Sequence, residues 1–221
     1  MQGPPEEVAP FDITGTWISV ITEDWMFRMV TPPKGQYLGV PMNRAAREVA
    51  DAWDPKADQA AGLACKGYGG AAIMRRPGRL RISWPENDEI RIQAEAGEQV
   101  RNLHFNAKPP ADAERTWQGF STAEWDYQNA AQGQPRRGTL KVTTTDMLPG
   151  YLRKNGVPYS EEAVVTEYFD SYTASNGDIW LVVTTAVHDP MYLTTDFITS
   201  SHFKKVVDGD TTWIPEPCSA E

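Results

Sequence analysis

The sequence predicts a mainly β fold, an antiparallel meander barrel of about ten strands. Short runs of β-branched and aromatic residues alternate with polar residues at period two, as in a half-buried strand. Turn-forming residues separate the runs, and Asn176-Gly177 is the strongest hairpin signal because both residues tolerate a positive φ angle. The strands predicted after the first are 71–74, 79–84, 89–94, 100–106, 117–127, 140–145, 163–172, 179–186 and 197–206.

The first extended stretch covers residues 11–30. Trp25, Phe27 and Met29 alternate strictly within it, which favours a strand. Proline and glycine residues between 31 and 35 end the pattern, because proline does not donate to a strand ladder.

A short αα insertion near residues 43–64 interrupts the strand pattern. Asn43 can cap a helix in which Val49 and Trp53 share one face. Asp54-Pro55 is a good N-cap and first-turn pair for a second short helix. We expect this insertion to cover a barrel mouth or to pack on a sheet face.

Length and composition indicate a flexible lead-in over residues 1–10 and a single β-barrel domain over residues 11–221. The chain has 40% apolar residues, with 8 Trp, 8 Tyr and 7 Phe, enough for a sizeable core. Its net charge is −9, and no basic stripe is visible, so we expect no nucleic-acid partner. The basic pairs Arg75-Arg76, Arg136-Arg137 and Lys204-Lys205 are interpreted as solvated strand ends.

The two cysteines, Cys65 and Cys218, favour a disulfide that ties the C-terminal tail to the body of the domain; two unpaired thiols are the alternative. No apolar run approaches the roughly 20 residues that a membrane helix needs, so we expect no transmembrane segment. The first residues lack the features of a signal peptide. Either the protein is cytoplasmic, or it is periplasmic or secreted and its signal peptide is absent from this sequence. The disulfide favours the second alternative.

Two short motifs stand out: Gly15-Thr16-Trp17 near the start of the chain and Thr195-Asp196-Phe197 near its end. The first resembles the opening motif of lipocalins, and the second is similar to another motif of that family. The resemblance implies an up-and-down barrel of the calycin type, with Trp17 plugging its closed end. The sequence departs from the family in its early helical insertion and in lacking a helix after the last strand.

Longer stretches resemble an uncharacterised family of exported bacterial proteins. This resemblance implies a signal peptide in the precursor and a periplasmic location, and it implies no activity. The segments that carry it are residues 22–25, 29–35, 150–160 and 199–204.

We predict an acid–base set of His104, Glu124, Glu167 and His202. A carboxyl group placed among aromatic side chains has a raised pKa and can transfer protons. His104 and His202 follow the alternation of their strands, which makes them the histidines most able to converge. The alternative is that all four are ordinary outward-facing or isolated residues of amphipathic strands.

The candidate ligand-binding residues are aromatic, cationic or phenolic. Arg28 and Tyr151 would hold a carboxylate or phenolate oxygen, and the aromatic rings would contact an apolar or aromatic body. The long segment around Tyr151 is interpreted as a loop that binds ligand or packs on the surface. The full set is Trp25, Arg28, Trp117, Trp125, Tyr151 and Tyr168.

We expect neither a metal nor an organic cofactor. The sequence contains no HxH, HExxH or CxxC motif and no glycine-rich phosphate loop followed by a helix. The function predicted first is binding of a small apolar or aromatic molecule inside the barrel, with cofactor-free acid–base conversion of the lyase, isomerase, hydratase or cyclase type. The alternatives are a non-catalytic periplasmic carrier and a structural or interaction module of the cell envelope. The oligomeric state stays open.

Overall fold

The computed structural model describes residues 3–112, 114–128, 137–206 and 210–221. Three short helices occupy the first third of the chain: α1 (Trp25–Arg28), α2 (Arg44–Ala52) and α3 (Pro55–Ala60). Two 3₁₀ helices follow at Ala64–Tyr68 and Ile73–Arg75. The strands are β1 (Gly15–Val20), β2 (Arg79–Glu86), β3 (Glu89–Ala94), β4 (Val100–Phe105), β5 (Phe120–Gln128), β6 (Arg137–Thr145), β7 (Gly150–Arg153), β8 (Val157–Tyr159), β9 (Val164–Thr173), β10 (Ile179–His188) and β11 (Phe197–Lys205).

Nine of these strands close into a barrel in the order β1-β11-β10-β9-β6-β5-β4-β3-β2, and β7 pairs with β8 in a separate hairpin. The mainly β barrel with a helical insertion is therefore confirmed. The expected all-antiparallel pairing needs correction, because β4 and β5 are parallel. The long connection between Phe105 and Phe120 carries the chain back along the barrel, so both strands run in the same direction.

The helical insertion forms as the sequence predicts. The side chain of Asn43 accepts a hydrogen bond from the Ala46 backbone nitrogen at 3.0 Å and so caps α2. Asp54 caps α3 by accepting from the backbone nitrogens of Lys56 and Ala57. These caps satisfy donors that a helix start otherwise leaves free.

Three local predictions are wrong. The alternating stretch at Trp25 forms α1 outside the barrel, and the first barrel strand ends at Val20. The predicted strand 71–74 overlaps a 3₁₀ helix, and the predicted loop around Tyr151 forms the β7–β8 hairpin. In the first two segments, a few alternating or apolar residues are too short a signal to outweigh the tertiary contacts that the segment makes. Around Tyr151, the turn-forming residues belong to the turn of the hairpin.

Aromatic side chains close the end of the barrel at which β1 begins, which we call the aromatic end. Trp84 stacks on Phe105 with ring centroids 5.6 Å apart, and Phe11 meets Trp125 edge-on at 5.5 Å. Trp17 is fully buried and donates from Nε1 to the Ile13 carbonyl oxygen at 2.9 Å. The barrel interior at this end is therefore packed with large side chains.

The lead-in lies against the same end. The indole nitrogen of Trp125 donates to the Pro5 carbonyl oxygen at 2.9 Å, and the Tyr127 hydroxyl donates to the Val8 carbonyl oxygen at the same distance. Residues 1–2 of the predicted lead-in lie outside the described residues. Flexibility of the lead-in stays a prediction.

The opposite end of the barrel is covered by helices and by the β7–β8 hairpin, and we call it the covered end. A second apolar cluster there joins Ala46 and Ala50 of α2 with Leu152 and Val157 of the hairpin and Val187 of β10. This cover follows from connectivity, because β1, β6 and β10 all end on this side and lead into the covering segments.

Between the two apolar clusters, the barrel interior carries a ring of polar side chains that we call the polar belt. Along β9, for example, Glu167 lies between Val165 of the covered-end cluster and Phe169 of the aromatic-end cluster. Six neighbouring strands contribute one buried polar residue each. The belt consists of Arg101, Ser121, Thr144, Glu167, Thr185 and Ser201.

Candidate functional site

Four buried arginines lie together at the covered end, and we call them the arginine cluster: Arg28, Arg75, Arg76 and Arg153. Arg28 ends α1, Arg75 and Arg76 end a 3₁₀ helix, and Arg153 ends β7. Arginine is seldom buried without a partner, so the hydrogen bonds of each guanidinium show whether its charge is compensated.

Two members of the cluster have acidic partners. Arg28 forms an ion pair with Glu23, and its Nε donates to the Arg75 carbonyl oxygen at 3.0 Å. Arg75 Nη2 lies 3.0 Å from an oxygen of Asp24. Both acids come from the segment that leads into α1, so this segment neutralises half of the cluster.

The other two members have no carboxylate partner among the described residues. Arg153 donates from Nη1 to the Leu38 carbonyl oxygen at 2.7 Å and stacks over the ring of Phe27. The guanidinium of Arg76 forms neither a hydrogen bond nor an ion pair with any described residue. It lies over the face of the Tyr68 ring, 5.6 Å from the ring centroid.

Burial shifts the arginine pKa values downward. Removal from water lowers the pKa of Arg76 to about 10, and the pKa of Arg28 also falls to about 10, through burial and then through its cationic neighbours. Both values lie well above neutral pH, so both guanidinium groups stay charged. The cluster therefore carries positive charge that the described residues leave uncompensated.

Arg28 and Arg76 line an open cleft of about 480 Å³, which we call the mouth cleft. Lys154 adds a third cation and lies over the same Tyr68 ring as Arg76, at 5.6 Å. The walls also carry apolar side chains, and Glu95 and Glu216 belong to the same lining. The apolar contributions come from Met29, Val30, Pro77, Ala96 and Ile214.

Glu95 keeps its negative charge but forms no ion pair with an arginine in the described part of the chain. One of its carboxylate oxygens accepts a hydrogen bond from the Ile214 backbone nitrogen at 2.7 Å, and the other accepts from the Arg79 backbone nitrogen at 2.8 Å. The Glu95 side chain therefore anchors the C-terminal segment to the barrel.

The C-terminal segment, residues 213–221, forms one wall of the mouth cleft, and we call it the strap. A disulfide between Cys65 and Cys218 ties it to the 3₁₀ helix that begins at Ala64, which confirms the predicted bridge. The Glu216 backbone nitrogen also donates to the Glu95 carbonyl oxygen at 3.0 Å. Such a bridge is typical of an oxidising compartment.

The predicted acid–base residues do not converge. Glu167 is fully buried in the polar belt, where its carboxylate lies 2.7 Å from Arg101 Nη2. His104 lies on the outer face of β4, where Nδ1 is 3.2 Å from Glu89 and the ring stacks on Phe120.

The remaining two acid–base candidates also lie on the outer face of the barrel. Glu124 forms an exposed ion pair with Lys141 at 2.8 Å. His202 on β11 lies 3.0 Å from Glu23. None of the four predicted residues lines the mouth cleft. A catalytic role for them stays a prediction.

The predicted ligand-binding residues are dispersed as well. Arg28 lines the mouth cleft, and Trp25 is exposed three residues earlier in α1. Trp117 lines a different cleft beside β4, and His104 of the predicted acid–base set lines that same cleft. Tyr168 lies on the outer side of β9. Trp125 lies at the aromatic end.

Tyr151 is committed to a structural contact. Its hydroxyl donates to Asp58 at 2.7 Å, and the Asp58 carboxylate also binds Lys66 at 2.7 Å. Burial, together with the bond to Asp58, raises the pKa of the Tyr151 phenol. A phenol held in this way stays protonated at neutral pH.

Sequence reasoning missed most of the arginine cluster. The pair Arg75-Arg76 was interpreted as a solvated strand end, and this is wrong because both side chains are buried. Arg136 of another such pair lies outside the described residues. The signal available in the sequence was weak: four arginines, each close to aromatic or apolar residues, in segments that are far apart along the chain.

Comparison of the chain with protein-family models, with curated proteins and with solved structures finds no match. Within the described ranges, no three histidine, cysteine or acidic side chains are grouped so that they could hold a metal ion. A search of the same ranges finds no helix with the length and apolarity needed to cross a membrane.

Proposed function

We propose that this protein binds a small molecule that combines an apolar or aromatic body with an anionic group, and that the ligand occupies the mouth cleft. The observation that carries this proposal is the buried guanidinium of Arg76, which has no acceptor among the described residues. Burying an uncompensated charge costs several kcal/mol. A bound anion would remove that penalty, because a carboxylate accepts two parallel hydrogen bonds from a guanidinium.

The composition of the cleft supports both halves of such a ligand. Arg76, which has no acceptor in the described part of the chain, favours a negative group beside it in the cleft. Arg28 and Lys154 add positive charge to the same lining, although Arg28 is paired with Glu23 and Lys154 donates to the main-chain oxygen of Glu221. Val30 and Ile214 are largely exposed apolar side chains that a ligand body would cover. Binding without conversion is the simpler form of the proposal, because the predicted acid–base residues lie elsewhere.

We propose further that the protein is a lipocalin-like barrel and that it is periplasmic or secreted. The burial of Trp17 at the start of β1 supports the lipocalin-like relation, and the parallel pair of strands departs from an up-and-down barrel. The Cys65–Cys218 disulfide supports an oxidising compartment.

Calorimetry with matched ligands tests the proposal. Benzoate and hexanoate should bind, whereas the neutral analogues benzamide and hexanamide should bind at least about tenfold more weakly, since they lack the charge. Arg76→Met should remove the preference for the anion. Arg44→Met is the matched control, because Arg44 is an exposed arginine on α2 whose partner is Glu48.

Equal affinity for the acids and their amides would contradict the proposal. So would an Arg76→Met variant that keeps the preference for the anion while its circular dichroism spectrum matches that of the parent protein. An equal loss of affinity for the carboxylates in Arg76→Met and Arg44→Met would indicate a general effect of net charge. That result would also count against binding in the mouth cleft.

A further inference from the structure

The pairing of the barrel wall is incomplete between the parallel strands β4 and β5. Their paired residues are limited to Leu103 through Phe105 on β4 and Ser121 through Ala123 on β5. On its other side, β4 pairs with β3 from Val100 onward. The first three residues of β4 therefore have a partner strand on one side and no paired β5 residue on the other.

A cleft of about 370 Å³ fills this wedge, and we call it the gap cleft. Residues 99–102 form one wall and residues 116–119 form the other. Because each wall is a run of consecutive residues, two lengths of backbone face each other across the cleft. No backbone hydrogen bond joins residues 100–102 to residues 116–119 within the part of the chain that the structure describes. One side-chain hydrogen bond crosses the cleft, from Gln118 Nε2 to Gln99 Oε1 at 2.8 Å.

The floor of the gap cleft is part of the polar belt. Arg101 and Ser121 belong to the belt and also line the cleft. The charge of Arg101 is matched by Glu167, to which it donates through both terminal nitrogens, at 3.2 Å and 2.7 Å. Arg101 Nε and Gln118 Oε1 are buried and have no hydrogen-bond partner among the described residues. The floor is therefore polar and locally neutral.

We propose that the gap cleft is a second binding site, distinct from the mouth cleft, that takes an extended peptide segment as an added strand on β4. A strand edge carries unpaired N–H and C=O groups, and peptide recognition by strand addition uses those groups for affinity. The unpaired stretch of β4 borders the gap cleft, so a peptide strand could be added to it there.

Side-chain chemistry defines which peptides fit. In an added strand, alternate side chains point to opposite faces. Those facing inward would meet Arg101 and Ser121, which favours a hydroxyl or amide side chain because the floor is neutral. Those facing outward would lie beside Trp117 and Val100, which favours an apolar side chain. The ligand is thus a neutral peptide of alternating small polar and apolar residues.

A pair of peptides that differ only in backbone donors tests this proposal. The first is a short capped peptide of alternating threonine and valine; the second has the same sequence with alternate amide nitrogens methylated. Amide chemical shifts are followed by NMR on the ¹⁵N-labelled intact protein. The first peptide should move the amide signals of residues 100–102 with a Kd on the order of 1 mM or below, and the methylated peptide should bind at least about tenfold more weakly.

Two variants locate the site. Trp117→Ala should weaken binding of the peptide about tenfold, because Trp117 forms part of one wall. Trp25→Ala is the matched control, since Trp25 is a more exposed tryptophan at the covered end, and it should leave the affinity unchanged. If Trp117→Ala fails to fold, the comparison of the two peptides on the parent protein still tests whether the peptide binds through its backbone donors.

Absence of any shift at millimolar peptide would overturn the proposal, as would equal binding of the methylated peptide. Shifts confined to the residues of the mouth cleft would also overturn it. Benzoate binding is measured on the same samples, so the proposed anion site and this peptide site succeed or fail separately.

Discussion

At the scale of single residues, charge burial decides where this protein is chemically unusual. Arg76 is buried at the wall of the open mouth cleft, Arg101 and Glu167 are buried inside the barrel, and the electrostatic situations of the two places differ. The Arg101–Glu167 pair is internally neutral and hydrogen-bonded, whereas Arg76 lacks an acceptor among the described residues. A paired buried charge needs no further counter-charge, whereas an unpaired one indicates a place where a ligand is expected.

Replacement of Arg76 by methionine should separate stability from binding. Removing an uncompensated buried charge should raise the free energy of unfolding of the ligand-free protein by about 1–2 kcal/mol. Urea unfolding at neutral pH measures this change, with Arg44→Met as a control that should stay within about 0.5 kcal/mol of the parent protein. A marked loss of stability in Arg76→Met would mean that the guanidinium is compensated within the protein.

Affinity for the anion should not depend on pH across the neutral range. Burial lowers the pKa of Arg76 to about 10, so the guanidinium stays protonated below that value and loses its charge only above it. Affinity for benzoate, measured by calorimetry, should be constant from about pH 6 to about pH 9 and should fall above about pH 10. A decline between pH 6 and pH 7 would instead implicate a histidine.

Substitution in the Arg101–Glu167 ion pair should lower the free energy of unfolding, whereas Arg76→Met should raise it. Glu167→Gln leaves Arg101 buried without its counter-charge and should lower the free energy of unfolding by about 3–5 kcal/mol. The double replacement Arg101→Met with Glu167→Leu should recover most of that loss, which a double-mutant cycle in urea measures. A Glu167→Gln variant as stable as the parent would show that the pair contributes little.

At the scale of elements, the strap links the disulfide to the mouth cleft. Ile214 and Glu216 of the strap form part of the cleft wall, and Cys218 anchors them to Cys65.

The sequence predicts the capped helices correctly, because Asn43 and Asp54 form hydrogen bonds with residues two or three positions further along the chain. Elements defined by contacts far along the chain, such as α1 and the β7–β8 hairpin, were not predicted.

Removal of the disulfide should therefore affect stability and binding together. The double variant Cys65→Ser with Cys218→Ser should lose up to about 5 kcal/mol of stability, because the bridge closes a long loop. It should also bind benzoate several-fold more weakly, since one wall of the mouth cleft is released. Unchanged affinity for benzoate in this variant would show that the strap does not hold the ligand. Alkylation of the parent protein without reductant, followed by mass spectrometry, should label no thiol.

At the scale of the whole molecule, barrel closure depends on the two ends of the chain. Trp17 near the start pairs with Lys205 near the end, and the Lys205 ammonium lies over the Trp17 ring at 5.5 Å. The barrel interior is layered, with apolar clusters on both sides of the polar belt. No single segment completes these layers, so the layers form only when the barrel closes.

This topology predicts slow folding. Pairing β1 with β11 and bringing β5 parallel to β4 both require contacts between distant parts of the chain, which slows the search for the transition state. We expect the disulfide-intact protein to refold in about 0.1–10 s after dilution from urea, as monitored by tryptophan fluorescence in stopped flow. Refolding on the microsecond scale would contradict the role of barrel closure as the slow step.

The sequence alone predicts the mainly β character and the capped helices and favours the disulfide, because alternation, caps and cysteine counts are properties of short segments or of composition. The tertiary structure decided the parallel pair, the arginine cluster and the two clefts. Arg28, Arg76 and Lys154 come from three separate segments, and their charges add only where the fold brings them together. Local patterns predict on which face of a strand or helix a residue lies, whereas its burial and its distance from other charges depend on the whole fold.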